Sequence, residues 1–254
     1  MKRIAQIGDS IGHKQKSIIM CHQACISTMK ERYRGLVAQG LQVTDTMEEY
    51  VRPLLANRLG GYVRSIRRRS GFDVLGMVDR EQLHTLGKLE TSIREDIEVY
   101  VGAPSETLLQ TIFIKIQMWL GYSGTFIFTR GRRFNWNTIR PYYQDFVMCC
   151  LAANGNLNLI QDAGRTLDRH VTNVGISQIS VHIHFWSHAT MNKDALPIFN
   201  TRTAPRMGVT LNWDHILCYW NGMRQILSEQ HLTNMNALDR QIILFENPAN
   251  QNNG

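Results

Sequence analysis

Several features that would assign this 254-residue chain quickly are missing from it. No window holds about 18 consecutive apolar residues, so nothing reads as a membrane span. The opening MKRIAQIGDS is basic but has no apolar core of signal-peptide length, so secretion is not expected. Cysteine is scarce and badly spaced for a framework: Cys21, Cys25, Cys149, Cys150 and Cys218 are odd in number and contain no Cys-x-x-Cys pair. That excludes a zinc ribbon and a conventional disulfide scaffold. It leaves small, mostly buried thiols in a reducing, cytoplasmic setting, or inside a viral particle or inclusion. Lysine is also sparse, with 7 against 21 arginines. No P-loop, RNP aromatic motif, KH loop or zinc finger occurs, and no repeat of fixed period is visible. No cofactor is expected.

What remains is an ordinary globular composition, 43% hydrophobic and 19% charged, with a net charge of +7. The charge is uneven. Residues 1–150 hold 21 Lys+Arg against 14 Asp+Glu, whereas residues 151–254 hold 7 of each. Arginine forks onto phosphate and stacks on flat rings, so a basic, arginine-weighted first half points toward a polyanion such as RNA.

The pattern of apolar residues predicts an α+β protein, with a helical N-terminal portion packed on a mainly antiparallel sheet. Helices are expected over residues 17–38, after Asp45 (with Glu48 at capping-box spacing), after Asp79, over 138–153 and over 214–231. The helix after Asp79 would bury Leu83, Leu86, Leu89, Ile93 and Ile97. TIFIKIQMWL and TFIFTRG, joined by GYSG, read as a hairpin, because they are rich in β-branched and aromatic residues around a short Gly-containing turn. ISQISVHIHFW and RQIILFE read as further strands. The best place for a division is Gly102-Ala103-Pro104-Ser105. It separates a mostly helical basic portion, 1–103, from a mixed sheet and helix portion, 104–254, and the two share one core if the linker is this short.

Three groups of residues could carry chemistry. The strand candidate KRIAQI ends in Gly8-Asp9-Ser10, which resembles the first block of the SGNH/GDSL hydrolases. The resemblance implies a nucleophilic Ser10 and covers residues 2–12 only. The family's Gly-x-Asn-Asp block is missing, as is its C-terminal Asp-x-x-His, since Asp214 and His215 are adjacent here. A serine without a base is a weak nucleophile, and a capped strand-to-helix turn explains the same residues. The second group is His182, His184 and His188. On a strand all three would share a face with Trp186, where imidazoles two apart can share a metal or repel one another when protonated. No cysteine or carboxylate sits beside them to complete a site. The third group is Arg64, Arg67, Arg68 and Arg69, with Arg130, Arg132 and Arg133 lying before Phe134, Trp136, Tyr142 and Tyr143. Cations interleaved with rings can follow a phosphate backbone and stack bases.

No pair of carboxylates sits in an acid/base arrangement, and no catalytic residue is assigned. The leading expectation is a non-enzymatic structural protein that assembles with itself, of the kind found in viral coats, nucleocapsids, matrices or occlusion bodies. Its Asn, Gln, Trp, Tyr, Met and Arg content suits buried interfaces. The alternatives are an RNA-binding protein that uses its arginine and aromatic patches, and a hydrolase or metal enzyme built on Ser10 or the histidines.

Overall fold

The computed structural model describes residues 23–45, 86–121, 136–172 and 174–245. Among them there is no strand. Residues 23–38 form α1. It is followed by α2 (Leu86–Gly102), α3 (Glu106–Gly121), α4 (Trp136–Ala152) and α5 (Leu157–His170). Then come α6 (Ile176–Met191), the short α7 (Thr203–Arg206), α8 (Trp213–Glu229) and α9 (Met235–Leu244). The α+β expectation is therefore wrong: TIFIKIQMWL lies in α3, ISQISVHIHFW opens α6, and RQIIL of RQIILFE lies in α9. The second arm of the expected hairpin, TFIFTRG, lies outside the described residues, as do KRIAQI and the stretch from Thr46 to Thr85.

The physical reason for the error is burial on all sides. In α6 every residue from Gln178 to Ser187 is buried, and in α3 every residue from Ile112 to Met118 is buried. A helix with no wet face shows no 3.6-residue alternation, so period ceases to distinguish it from a strand, and β-branched content misleads. Two helices that keep a wet face were readable, although α5, which also keeps one, was not expected. In α2, Leu89, Ile93 and Ile97 form the expected buried stripe; in α8, Ile216, Trp220, Met223 and Leu227 do the same.

The core is arranged around α6, which packs against α2, α3, α4 and α5. α2 and α3 form one antiparallel hairpin across Ala103–Ser105, and α4 and α5 form another. One cluster of buried side chains runs from Met29 and Ile97 through Ile112 to Ile242. The one cation of α3 is paired inward. Lys115 Nζ reaches Ser92 Oγ at 2.8 Å and Asp96 Oδ2 at 2.6 Å, joining α3 to α2. Asparagine supplies the N-caps: Asn156 of α5 accepts from Asn158 N and Leu159 N, Asn212 of α8 from His215 N, and Asn234 of α9 from Ala237 N. α4 stops at the expected place, where Asn154 and Gly155 adopt φ of 43° and 83°.

α5 meets α8 at Gly164. A Cβ there would lie 2.5 Å from the ring of Trp213, whose Nε1 is held by Asp168 Oδ2 at 2.6 Å. The indole cannot swing aside without losing that bond. Gly164→Ala is therefore expected to cost about 1–3 kcal/mol in urea unfolding, through overpacking. Unchanged stability would show that the helices separate freely.

Candidate functional site

The three histidines lie on one helix, so the common face expected of a strand does not exist. Successive residues of a helix are rotated by about 100°, so His184 and His188 are neighbours while His182 points elsewhere. His182 sits between α3 and α4. Its Nε2 lies 2.8 Å from Gln117 Nε2 and its Nδ1 lies 2.8 Å from Tyr143 Oη, which also accepts from Trp186 Nε1 at 2.9 Å. The ring stacks on Phe113 with centroids 5.1 Å apart. His184 and His188 meet edge to face at 5.0 Å. Among the described residues no group of three or more His, Cys, Asp or Glu is placed to hold a metal ion.

His184 has a different task. The connector Ala195–Phe199 is non-helical and fully buried, so its backbone groups have no water to bond. Side chains from four helices meet them. Ser187 Oγ accepts from Leu196 N at 2.9 Å, and His184 Nδ1 donates to Leu196 O at 2.8 Å. Trp220 Nε1 donates to Pro197 O at 3.2 Å. Asp239 Oδ2 accepts from Ile198 N at 2.8 Å, and Thr203 Oγ1 donates to Ile198 O at 2.6 Å. Ser180 Oγ donates to Phe199 O at 2.7 Å. Serine, histidine and aspartate here complete a backbone; none of them is arranged as nucleophile, base and orienter.

Beside this clamp lies a buried ion cluster that sequence reasoning did not single out. Glu90 Oε1 of α2 accepts from Arg94 and, across the core, from Arg240 Nη2 of α9. Glu90 Oε2, Asp239 Oδ1 and His188 Nε2 are buried without a hydrogen-bond partner. The signal for this cluster was faint. Glu90 and Arg94 are four apart and flank the apolar stripe of α2, close enough to be carried inside with it.

Burial sets the charge states. It holds His182 and His184 down at about 3. His188 is depressed further, by burial and then by His184, Arg94 and Arg240. All three rings are neutral at physiological pH, so the row of imidazoles charging together between pH 5 and 8 does not arise from them. Asp239 moves the other way: burial pushes its carboxyl up to about 7, against the Ile198 N–H and Arg240, which pull it down.

The remaining sequence candidates fall elsewhere. Ser10 and all of Arg64, Arg67, Arg68, Arg69, Arg130, Arg132 and Arg133 lie outside the described residues, as does Phe134. Of the rings that follow those arginines, Trp136 and Tyr143 are buried around Phe113. Tyr142 is exposed and stacks flat on His170 at 4.6 Å. An open cleft of about 800 Å³, which no sequence pattern marked, lies near the turns after α4, α6 and α8; Asn154, Lys193, Arg224 and Ser228 line it. No described helix is long and apolar enough to cross a membrane. The chain matches no protein-family model, no curated protein and no solved structure.

The titrations oppose one another. Each histidine whose folded value is depressed adds stability above about pH 6.5 that is lost as pH falls toward 3; Asp239 adds stability below about pH 4 that is lost as pH rises through 7. Acidification below pH 6.5 is therefore expected to destabilise the fold steeply, because three groups outweigh one. Asp239→Asn keeps an acceptor for Ile198 N and removes the opposing titration. Its unfolding free energy relative to wild type should improve by at least about 1 kcal/mol between pH 5 and pH 8 in urea titrations. A pH-independent difference between the two proteins would refute the assignment.

Proposed function

We propose that this chain is a non-enzymatic structural protein that works by associating with copies of itself, through the outer side of the α4–α5 hairpin. The observation that carries the reading is the apolar content of that side. Met148 is 54% exposed and Leu159 52% exposed, on two neighbouring helices, and Cys149 and Ala152 are exposed beside them in sequence. Tyr142, stacked on His170, presents a flat ring on the same hairpin. The charges around them are of both signs, with Asp145 and Asp162 exposed alongside Arg169. A patch that carries both signs can pair with itself across a two-fold axis, which is how most soluble homo-oligomers close. The commitment of the core serines, histidine and aspartate to backbone hydrogen bonds supports the same reading, because it leaves those side chains no reacting group to serve.

The RNA-binding alternative has less to stand on. Two of the rings that would stack bases, Trp136 and Tyr143, are enclosed in the core.

The test is mass measurement by light scattering or sedimentation, after nuclease treatment, across a concentration series. The wild-type chain should exceed the 29.2 kDa monomer and grow with concentration. Met148→Glu with Leu159→Glu should return it to 29.2 kDa with an unchanged helical circular dichroism spectrum. Both substitutions are on exposed positions, so neither disturbs the core. A wild-type protein that stays monomeric at high concentration would overturn the proposal.

A further inference from the structure

α1 is fastened to α8 along a single seam. Met29 Sδ and Cε lie 2.5 and 2.8 Å from the place a Cβ on Gly222 would occupy, so the two helices approach at the distance that a glycine allows. Farther along, Lys30 Nζ meets Glu229 Oε1 at 2.6 Å. One helical turn before Met29 is Cys25, and one turn before Gly222 is Cys218. The two thiols are therefore successive rungs of the same seam, and the Cys218 side chain hydrogen-bonds the Cys25 sulfur. Both are free. Cys218 is 1% exposed whereas Cys25 is half-buried, so Cys25 is the member of the pair nearer the solvent.

From this arrangement we propose that Cys25 and Cys218 are a reversible redox pair, in which a small-molecule disulfide such as oxidised glutathione drives formation of a covalent bridge between α1 and α8. The hydrogen bond from Cys218 also holds the Cys25 thiol below its ordinary value, which favours the thiolate that must attack. In the first step the Cys25 thiolate attacks one sulfur of the small disulfide. That S–S bond breaks, one small thiolate leaves and takes up a proton, and a mixed disulfide forms on Cys25. In the second step Cys218 gives its proton to the medium and attacks Cys25 Sγ, releasing the second small thiol. Two protein thiols become one disulfide while one small disulfide becomes two thiols, so atoms and electrons balance. The bridge closes a loop from residue 25 to residue 218 and holds α1, with its core residues Met29 and Tyr33, against the bundle. Sequence spacing conceals the pair, because its members lie at opposite ends of the chain.

The experiment incubates the full-length protein with millimolar oxidised and reduced glutathione, denatures it, alkylates the free thiols and weighs it by mass spectrometry. The wild-type chain has five thiols. It should lose two of them without gaining glutathione mass, and should melt roughly 5–10 °C higher when oxidised than when reduced. Cys25→Ser, at a half-buried position that tolerates the change, should keep all its remaining thiols or carry only glutathione adducts. Cys21→Ser should still form the bridge. The proposal fails if the wild-type chain keeps all five thiols or ends as a glutathione adduct alone. It also fails if Cys25→Ser loses a pair of thiols as the wild type does.

Discussion

Residues 195–199 pass through the interior without helical hydrogen bonds of their own, and most of the polar chemistry of this protein follows from that. An unpaired N–H or C=O buried away from water costs on the order of 1–3 kcal/mol. A non-helical connector inside a helical bundle is therefore tolerable only if side chains reach it from every side. Ser180, His184 and Ser187 come from α6, Thr203 from α7, Trp220 from α8 and Asp239 from α9. The connector thereby ties α6 to the C-terminal helices, which otherwise meet it over little area. The same requirement accounts for Ser180, His184 and Ser187 of α6, the most enclosed helix.

That account changes the meaning of the histidines. Imidazole near serine and aspartate suggests catalysis when read along a sequence, yet here His182 and His184 have structural partners. His184 holds Leu196 O, and His182 completes a chain through Tyr143 to Trp186. Both stay neutral because the interior does not solvate a charge. The ion cluster of Glu90, Arg94 and Arg240 meets the same constraint differently, by pairing α2 with α9 across the core. Chemistry that faces outward is left to the surface, where the α4–α5 hairpin exposes Met148 and Leu159 and the α1–α8 seam leaves Cys25 half-buried.

The legible part of the fold had a wet side, although α5, which also has one, was not read as a helix. The stripes of α2 and α8, the helix over 138–153 and its stop at Asn154-Gly155 follow from amphipathic period and from backbone that needs positive φ. α3 and α6 were not legible, because Ile112–Met118 and Gln178–Ser187 are buried on every face and carry no period at all. Ile, Val, Phe and Trp in such a run fit a strand equally well on local grounds, and only the tertiary setting decides. The site was less legible still. His182, His184 and His188 were singled out as imidazoles sharing one strand face, but they lie on a helix, and the roles of His182 and His184 depend on partners 65 and 12 residues away. Asp239 and Arg240 sit in an ordinary-looking ALDRQIIL, where nothing local says that both charges are inside.

The central claim is that side chains of α6 and α9 pin the connector into the core as firmly as the helices themselves. Native-state hydrogen exchange at the amides of Leu196 and Ile198 measures this directly. These two amides should exchange only with global unfolding, as slowly as Ile183 and Phe185 within α6, and Ser187→Ala should accelerate Leu196 selectively. Exchange of Leu196 and Ile198 at the rate of an open loop in the wild-type protein would contradict the account.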